Sequence, residues 1–320
     1  MPRSLPPKVP VTKHPAKFAL HVLLIVAPVT LAFAVLPFFY DNQLLLFNFI
    51  VFLTLAQGIN VIYGFTGYLP FGYVGFFGAG AYGFSLMVMH LHARPLVALV
   101  VAALAALTLA VILTPLLRLE GPYFAIASLA ASEAVSQVVS NPNLTAITQG
   151  PYGVSLSGVF APNFAYGVAI AILAFTLGAV IFLRNSHFGL ALQAVREDSV
   201  SAGMAGVNVV RERVLAWLLS ALIAGLIGGV NAWYISVFYP ETVFDPSVSI
   251  FAIVFALFGG TATVVGPILG VAILYGIYNA IGITTPQYFQ FIYGSLIMAL
   301  VMFLPNGMAS LLRRWGLNVP

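Results

Sequence analysis

The sequence has no cysteine and little charge. Only 6% of its 320 residues are Asp, Glu, Lys or Arg, whereas 61% are hydrophobic. The absence of cysteine excludes disulfide bonds, thiolate chemistry and cysteine-based metal sites. Because a soluble domain has about 25% charged residues, the shortage of charge excludes a soluble protein of this length. It predicts an all-α protein that crosses the membrane several times.

Lysine and catalytic groupings are missing from most of the chain. No lysine follows Lys17, so the G-x-x-x-x-G-K-[ST] loop that cradles the phosphates of ATP is excluded. No Ser/His/Asp arrangement is visible, and the close pair His90 and His92 has no carboxylate nearby. We therefore expect no enzyme activity, no metal site and no cofactor in this chain. The net charge is +4. The positions of the basic residues point to a membrane, so this charge does not predict a nucleic-acid partner.

Long apolar runs account for most of the chain, and membrane lipid is expected to surround them. A helix needs roughly 17 to 25 apolar residues to cross the bilayer. Ten such runs are predicted, at residues 18–39, 44–63, 72–91, 96–117, 121–139, 163–183, 214–235, 247–263, 265–282 and 288–304. With a cytoplasmic N-terminus, eleven of the twelve basic residues lie on the cytoplasmic side and only Arg94 lies outside. This agreement with the positive-inside rule predicts that both termini are cytoplasmic. The expected parts are a basic N-terminal tail (1–17), a transmembrane domain (18–312) and a C-terminal tail (313–320).

Charge is concentrated in one internal segment, residues 184–213, which we predict to be a cytoplasmic loop. It holds seven of the twenty charged residues, namely Arg184, Arg196, Glu197, Asp198, Arg211, Glu212 and Arg213. Asp198 or Ser199 can cap a short helix there, and Gly206 can end it in a left-handed turn. Ala202, Ala205 and Gly206 offer a small-residue surface suited to a groove in another protein. The alternative is an ordinary solvated loop, but thirty residues of helix formers with ordered caps favour docking.

Two glycine-rich stretches, residues 64–83 and 258–270, interrupt the apolar pattern. Glycine permits either close packing of membrane helices or broken backbone beside a solute path. Pro70 and Pro267 favour real breaks, and close packing is the alternative. The glycines that we consider candidates for the path are Gly72, Gly75, Gly78, Gly80, Gly259, Gly260 and Gly266.

The fifth predicted span contains the one acidic side chain that we place within hydrocarbon, Glu133. Ser128, Ser132 and Ser136 recur every four residues, with Glu133 and Gln137 alongside them. This spacing predicts a polar stripe on one helical face. A carboxylate at this depth is a candidate for the solute path. The alternative is a neutral glutamate that joins helices, with serine or glutamine as its hydrogen-bond partner.

Five stretches of the chain resemble the LivM-type permeases of bacterial branched-chain amino-acid ABC importers. They are residues 60–82, 121–130 with 147–154, 191–229, 249–273 and 304–312. The fourth is similar to the family segment G-G-x-G-T-x-x-G-P-x-x-G, and the fifth to its terminal motif L-P-x-G. Relatives usually have Ser-Leu-Gly-His where this chain has Pro70, Phe71, Gly72 and Tyr73, and glycine where it has Gln149 and Ala262.

The resemblance implies a function that residue spacing alone does not supply. It implies import of branched-chain or similar small amino acids across the bacterial inner membrane. Ala202 and Gly206, with Arg196, Glu197 and Asp198 before them, would form the coupling helix that contacts an ATPase. The implied partners are a related second permease, two ABC ATPases that bind the ATP, and a periplasmic solute-binding protein.

Three alternatives remain open from the sequence. Urea or short amides are alternative substrates within the same architecture. A secondary transporter, with Glu133 as a proton-coupling carboxylate, is an alternative mechanism that needs no ATPase. A membrane scaffold that transports nothing is the third.

Overall fold

The computed structural model describes residues 15–284 together with residues 294, 295, 298 and 308. Its helices are α1 (Pro15–Val35), α2 (Gln43–Ile59), α3 (Val74–Leu91), α4 (Pro95–Ile112), α5 (Pro122–Val139), α6 (Thr145–Thr148), α7 (Pro162–Asn185), α8 (His187–Glu197), α9 (Ser199–Met204), α10 (Val209–Ile235), α11 (Pro240–Val243), α12 (Pro246–Gly259) and α13 (Val265–Thr284). A π-helical segment, Asn60–Gly64, continues α2, and short 3₁₀ turns join several helices. Two antiparallel strands of two residues each, β1 (Val154–Ser155) and β2 (Val237–Phe238), are the only strands in the described residues.

Seven helices in the described part of the chain are long and apolar enough to cross a membrane. They are Gln43–Gly64, Val74–Leu91, Pro95–Ile112, Pro162–Asn185, Val209–Ile235, Pro240–Gly259 and Val265–Gly282. The predicted fifth span is the helix α5, which is not in this set because serine, glutamate and glutamine lower its hydropathy. The apolar part of the predicted first span is shorter, Leu24–Phe38. The predicted tenth span, 288–304, lies almost entirely outside the described residues, so the count of ten and the sidedness of the termini remain predictions.

Proline and short polar side chains set where the helices begin. Pro95, Pro122, Pro162 and Pro246 each lie in the first turn of a long helix. Proline is suited to this position because its fixed φ is helical and its missing N–H would have had no intrahelical partner. Side-chain oxygens of Asn42, Asp198, Asn208 and Asp245 accept hydrogen bonds from the first-turn amides of α2, α9, α10 and α12.

The helix α10 lies at the centre of the molecule and packs against α2, α3, α4 and α7. Small residues line these contacts; Gly228, for example, lies against the carbonyl of Phe77 in α3. Two buried hydrogen bonds join the same helices. The Trp217 indole N–H donates to the Ala110 carbonyl at 3.0 Å, and the Tyr73 hydroxyl donates to the Ser220 carbonyl at 2.8 Å.

The polar segments gather at two ends of the bundle. At one end, β1 pairs with β2, and the Trp233 indole donates to the Val159 carbonyl at 2.8 Å. This pairing places the uncharged segment 141–163 beside residues 237–246, which include Glu241 and Asp245, at one face of the bundle. We call it the strand face. The other end, which we call the charged face, contains the loop 184–213.

Two pairs of helices, α2 with α3 and α12 with α13, begin at the strand face and return to it through glycine-rich turns. We call residues 65–73 the first turn, which joins α2 to α3, and residues 260–264 the second turn, which joins α12 to α13. With its 14 residues, α12 is about 21 Å long at 1.5 Å per residue. The helix α12 alone is therefore shorter than the hydrocarbon core, which is about 30 Å thick, and it reaches the length of a span only together with α11. Both glycine-rich stretches that the sequence singled out contain a turn between two helices.

Candidate functional site

The loop on the charged face is largely helical. It contains α8 and α9, and α10 begins at Val209, before the predicted start of that span at residue 214. Asp198 caps α9, because its carboxylate accepts from the Val200 amide at 2.9 Å and from the Ser201 hydroxyl at 2.5 Å. Both the predicted short helix and one of its two predicted caps are confirmed, whereas α8 was not expected.

Gly206 ends α9 in the predicted left-handed turn, with φ of 90°. The Val207 amide donates to the Ala202 carbonyl and the Gly206 amide to the Gly203 carbonyl, each at 3.0 Å. This pair of bonds is a Schellman motif, which satisfies carbonyls at the helix end and favours glycine at the left-handed residue. The segment from Asp198 to Gly206 therefore has a fixed shape.

The exposed face of α9 differs from the surface expected from the sequence. Ala202 is only 5% exposed and faces its own chain, whereas Val200 and Met204 are 70% and 79% exposed. Gly206 and Ala205 are exposed beside them. Since Val200 and Met204 are four residues apart, they lie on the same side of the helix. The surface that α9 offers to a partner is therefore a pair of apolar side chains, Val200 and Met204, in the middle of the charged loop.

Hydrogen bonding stabilises the charged form of the Asp198 carboxyl. The Ser201 hydroxyl, then the backbone amides of Ser201 and Val200, lower the pKa of Asp198 below its ordinary value of 3.8. Donors to a carboxylate favour ionisation. Asp198 is therefore a charged cap at neutral pH.

The loop 184–213 also contacts the chain at the start of the first turn, through Arg196. The Arg196 guanidinium donates to the carbonyl of Gly64, the last residue of the π-helical segment. In a continuous α-helix the Tyr68 amide would donate to this carbonyl, but it donates to the Thr66 hydroxyl at 3.4 Å instead. The Arg196 side chain therefore supplies a donor that the break removes, as membrane proteins require for backbone groups away from water.

Arg213 holds the first turn at a second point. Its guanidinium carbon lies 4.8 Å from the centre of the Tyr68 ring, within the range of a cation–π contact. The Tyr68 ring in turn meets Phe124 of α5 edge-on, with the ring centres 5.0 Å apart. The two basic side chains and the turn border a cavity of about 760 Å³, which Glu120, Glu197 and Asp198 also line.

A buried amide pair joins α2 to the second turn. The Asn60 side chain accepts from the Ala262 amide at 2.7 Å and donates to the Thr263 carbonyl at 2.8 Å. Gln57 donates to the Val264 carbonyl at 2.7 Å, and Asn60 donates to Gln57 at 3.2 Å. Both amide side chains are fully buried. We call Gln57 and Asn60 the amide clamp, because they satisfy backbone groups that the second turn leaves without helical partners.

The candidate glycines lie in helix contacts. In α3 and just before it, Gly72 and Gly75 face Ser128 and Ser132 of α5, Gly78 faces the Phe244 ring, and Gly80 faces Gly225 of α10. Beside the second turn, Gly259 and Gly266 face each other across the α12–α13 pair, and Gly266 also faces Gly260. All seven are buried. The structure thus combines the two readings, with real breaks at the turns and close packing along the helices.

The polar residues of α5 point in two directions rather than along a single stripe. Ser128, Ser132 and Ser136 are buried, and the Ser128 hydroxyl accepts from the Gly72 amide at 3.2 Å. Glu133 and Gln137 are exposed on the other side of the helix. The expected glutamine partner is confirmed, because the Gln137 amide donates to the Glu133 carboxylate at 2.8 Å. Among the described helices α5 packs mainly on α3, so its glutamate faces away from the bundle.

Residues 43–303 match the protein family described as the permease component of branched-chain amino acid transport systems. The chain belongs to this permease family. It is 28% identical over 295 residues to the high-affinity branched-chain amino acid transport system permease protein LivM of Escherichia coli (strain K12), with 82% of this chain and 68% of LivM covered. It is 25% identical over 196 residues to LivH, the high-affinity branched-chain amino acid transport system permease protein LivH of the same strain, with 56% of this chain and 63% of LivH covered.

Sugar permeases also match, over shorter stretches. The fructose import permease protein FrcC of Rhizobium meliloti is 32% identical over 146 residues, which cover 43% of this chain and 40% of FrcC. No solved structure shows significant similarity to the chain. The family match and the apolar helices identify this protein as an ABC transporter permease that spans the inner membrane several times.

The departures of this permease from the family pattern have structural counterparts. Gln149 and Ala262, where the resemblance led us to expect glycine, both have left-handed backbone, with φ of 64° and 60°. Glycine adopts this conformation without the steric cost that a Cβ brings. Tyr73, where the resemblance led us to expect histidine, is 1% exposed, and its hydroxyl donates to the Ser220 carbonyl of α10. Its place in the permease is a helix contact.

Four residues of the site were missed by the reasoning from sequence. Gln57 and Asn60 gave a signal, since two amides three residues apart in an apolar run lie on one helical face. Their partners lie some 200 residues later in the chain, and spacing does not reveal such a pairing. Val200 and Met204 were missed because the predicted docking surface was based on the small residues of the loop.

Proposed function

We propose that this permease imports branched-chain amino acids, as the membrane subunit of an ABC importer. The observation that supports this most is similarity to LivM over 82% of the chain, since the sugar permeases match less than half of it. The proposed partners are a distinct second permease of the same family, two ABC ATPases and a periplasmic solute-binding protein. ATP is bound by the ATPases, and this chain needs no cofactor or metal of its own.

The segment from Asp198 to Gly206 is proposed as the coupling helix, with the charged face toward the cytoplasm. Its cap and its Schellman motif fix its shape, and an apolar pair exposed on a short, well-ordered helix suits a groove in a partner. Val200 and Met204 supply the contact with the ATPase. Arg196 and Glu197 lie just before the helix, and Ala202 supports it from within.

The outward face of α5 is proposed to meet the second permease and the solute path. A carboxylate turned toward lipid costs several kcal/mol, so Glu133 and Gln137 need a protein or water-filled environment. A path between two permeases supplies both, and the Glu133 carboxylate suits the ammonium group of an amino acid. The buried serines and glycines then support the path rather than line it.

Two measurements test this proposal. For the substrate, uptake of labelled leucine is compared in cells with and without the gene, with excess valine, urea or fructose as competitor. Suppression by valine alone supports the proposal, whereas suppression by urea or fructose, or uptake that does not depend on the gene, contradicts it.

For the coupling helix, Met204→Glu is compared with Met204→Leu. The glutamate variant is expected to remain in the membrane but to lose co-purifying ATPase at least tenfold, since a buried unpaired charge costs several kcal/mol. The leucine variant keeps an apolar side chain of similar volume and is expected to retain the ATPase. Equal recovery of ATPase with the two variants would contradict the assignment of α9.

A further inference from the structure

The charged loop contacts the first turn and the residue before it at two points, one on each side of α9 along the chain. Arg196, at the end of α8, donates to the Gly64 carbonyl, and Arg213, in α10, lies over the Tyr68 ring. The helix α9 lies between these two positions in the chain. A displacement of α9 along its own axis or toward the membrane therefore reaches the first turn through two guanidinium groups.

The contact at Gly64 is suited to transmitting a displacement. A charged donor to a backbone carbonyl is about twice as strong as a neutral hydrogen bond. The Arg196 guanidinium carbon also lies 5.9 Å from the centre of the Tyr63 ring, and its Cγ would lie 3.5 Å from a Cβ at Gly67. The Arg196 side chain thus contacts Gly64 and Tyr63 and passes beside Gly67 on one segment. The planar guanidinium group of arginine can stack on the ring and donate a hydrogen bond at the same time, whereas the ammonium group of lysine cannot do both.

The segment that receives this contact lies directly against the second turn. A Cβ placed on Gly64 would lie 2.8 Å from the Ala262 amide nitrogen and would overlap the Asn60 side chain. The same Asn60 side chain bonds both Ala262 and Thr263. Because closely packed groups do not absorb a shift without moving their neighbours, a displacement of Gly64 reaches the second turn through Asn60.

We propose that Arg196 is a positioning residue that links movement of the coupling helix to the first and second turns. This inference rests on the proposed function, which assigns α9 to the ATPase. The cavity of about 760 Å³ between the loop, the first turn and α5 leaves room for the loop to move. Arg196 connects the two sides of that space, and Arg213 provides the second contact with the turn.

The physical link is tested first, by hydrogen exchange in the purified permease. The amides of residues 260–264 are compared in the wild type, Arg196→Ala, Arg196→Lys and Arg211→Ala. Arg211 is an exposed arginine of the same loop and serves as the matched control. Exchange is expected to rise several-fold in Arg196→Ala, to rise less in Arg196→Lys and to stay unchanged in Arg211→Ala. Unchanged exchange in Arg196→Ala would overturn the link, whatever the permease transports.

The transmission role is tested next, in liposomes that contain the permease with its partner subunits and binding protein. The readout is the number of ATP molecules hydrolysed for each leucine imported. For Arg196→Ala this ratio is expected to rise on the order of tenfold, the size of a typical coupling energy, while the rate of hydrolysis changes less than about twofold. A residue that only stabilises the fold would lower hydrolysis and import together.

The outcomes separate this inference from the function on which it rests. If the wild-type assembly imports no leucine, the proposed substrate is wrong, and hydrogen exchange alone decides the link. If it imports leucine and the ratio in Arg196→Ala equals that of Arg211→Ala, transmission through Arg196 is overturned. A raised ratio with raised exchange in the second turn supports the inference.

Discussion

Replacement of Asn60, one of the two residues of the amide clamp, is predicted to destabilise the permease strongly. The loss of stability should be far larger than for an asparagine whose side chain bonds within its own helix. Asn60→Leu keeps a side chain of similar size but deletes three hydrogen bonds, to Ala262, Thr263 and Gln57, of which the last two are fully buried. Leucine offers no donor or acceptor, so one backbone amide and one backbone carbonyl of the second turn remain buried without these partners.

The magnitude follows from the number of groups affected. Hydrogen bonds between side chains in membrane helices contribute about 0.6 kcal/mol on average and about 1.7 kcal/mol at most, and a buried group without a partner costs about 1–3 kcal/mol. Three lost bonds at these values give about 2–5 kcal/mol. The cost is expected to lie toward the upper end of this range, because a broken segment offers the backbone groups of the second turn few other hydrogen-bond partners.

Asn279→Leu is the matched control for this experiment. Among the described residues, the Asn279 amide donates within its own helix, to the Tyr275 carbonyl at 2.9 Å. Its replacement is predicted to cost less than about 1 kcal/mol. The assay is the midpoint of thermal unfolding in detergent, followed by the loss of monodisperse protein. If Asn60→Leu lowers the midpoint no more than Asn279→Leu, the amide clamp does not hold the second turn.

Three further predictions concern the turn residues, the cap and the exposed carboxylate. Ala262→Gly and Gln149→Gly are each expected to raise stability by about 0.5–1 kcal/mol, since both positions have left-handed backbone; a lower thermal midpoint in either variant would contradict this. The folded-state pKa of Asp198 is lowered, so its contribution to α9 is present above the ordinary value of 3.8 and is lost as pH falls through the lowered value. Hydrogen exchange in residues 199–204 should therefore increase at low pH in the wild type, and Asp198→Asn at the same pH should not show this increase. Glu133→Gln is expected to reduce leucine uptake on the order of tenfold without lowering the thermal midpoint, because the carboxylate faces away from the bundle; a stability loss with unchanged uptake per folded protein would show a structural role.

Local features of the permease could be predicted from its sequence because their causes are local. The cap at Asp198 and the left-handed turn at Gly206 depend on residues within a few positions, and both are present. Apolar length alone predicted the membrane helices, and glycine with proline predicted the first turn. These patterns follow from propensity and from helical period.

Features that depend on distant contacts could not be predicted in the same way. The period of α5 placed serines every four residues, but only packing against Gly72 and Gly75 decides that the serines face inward and Glu133 outward. Ala202 appeared suited to a docking surface because it is small, yet it packs against its own chain. Arg196 was identified as part of the coupling segment by resemblance, whereas its bond to Gly64 joins residues 132 positions apart. Tertiary contacts of this kind leave no periodic signal in a single sequence.

The most direct test of the account asks which energy source drives uptake through this permease. Uptake of labelled leucine is measured in cells with and without the gene, each in the presence of an uncoupler while cellular ATP is maintained. The account predicts gene-dependent uptake that survives the uncoupler and disappears when the partner ATPases are deleted. Uptake that collapses with the uncoupler at constant ATP would contradict it and would identify a proton-coupled carrier, with Glu133 as the first residue to examine.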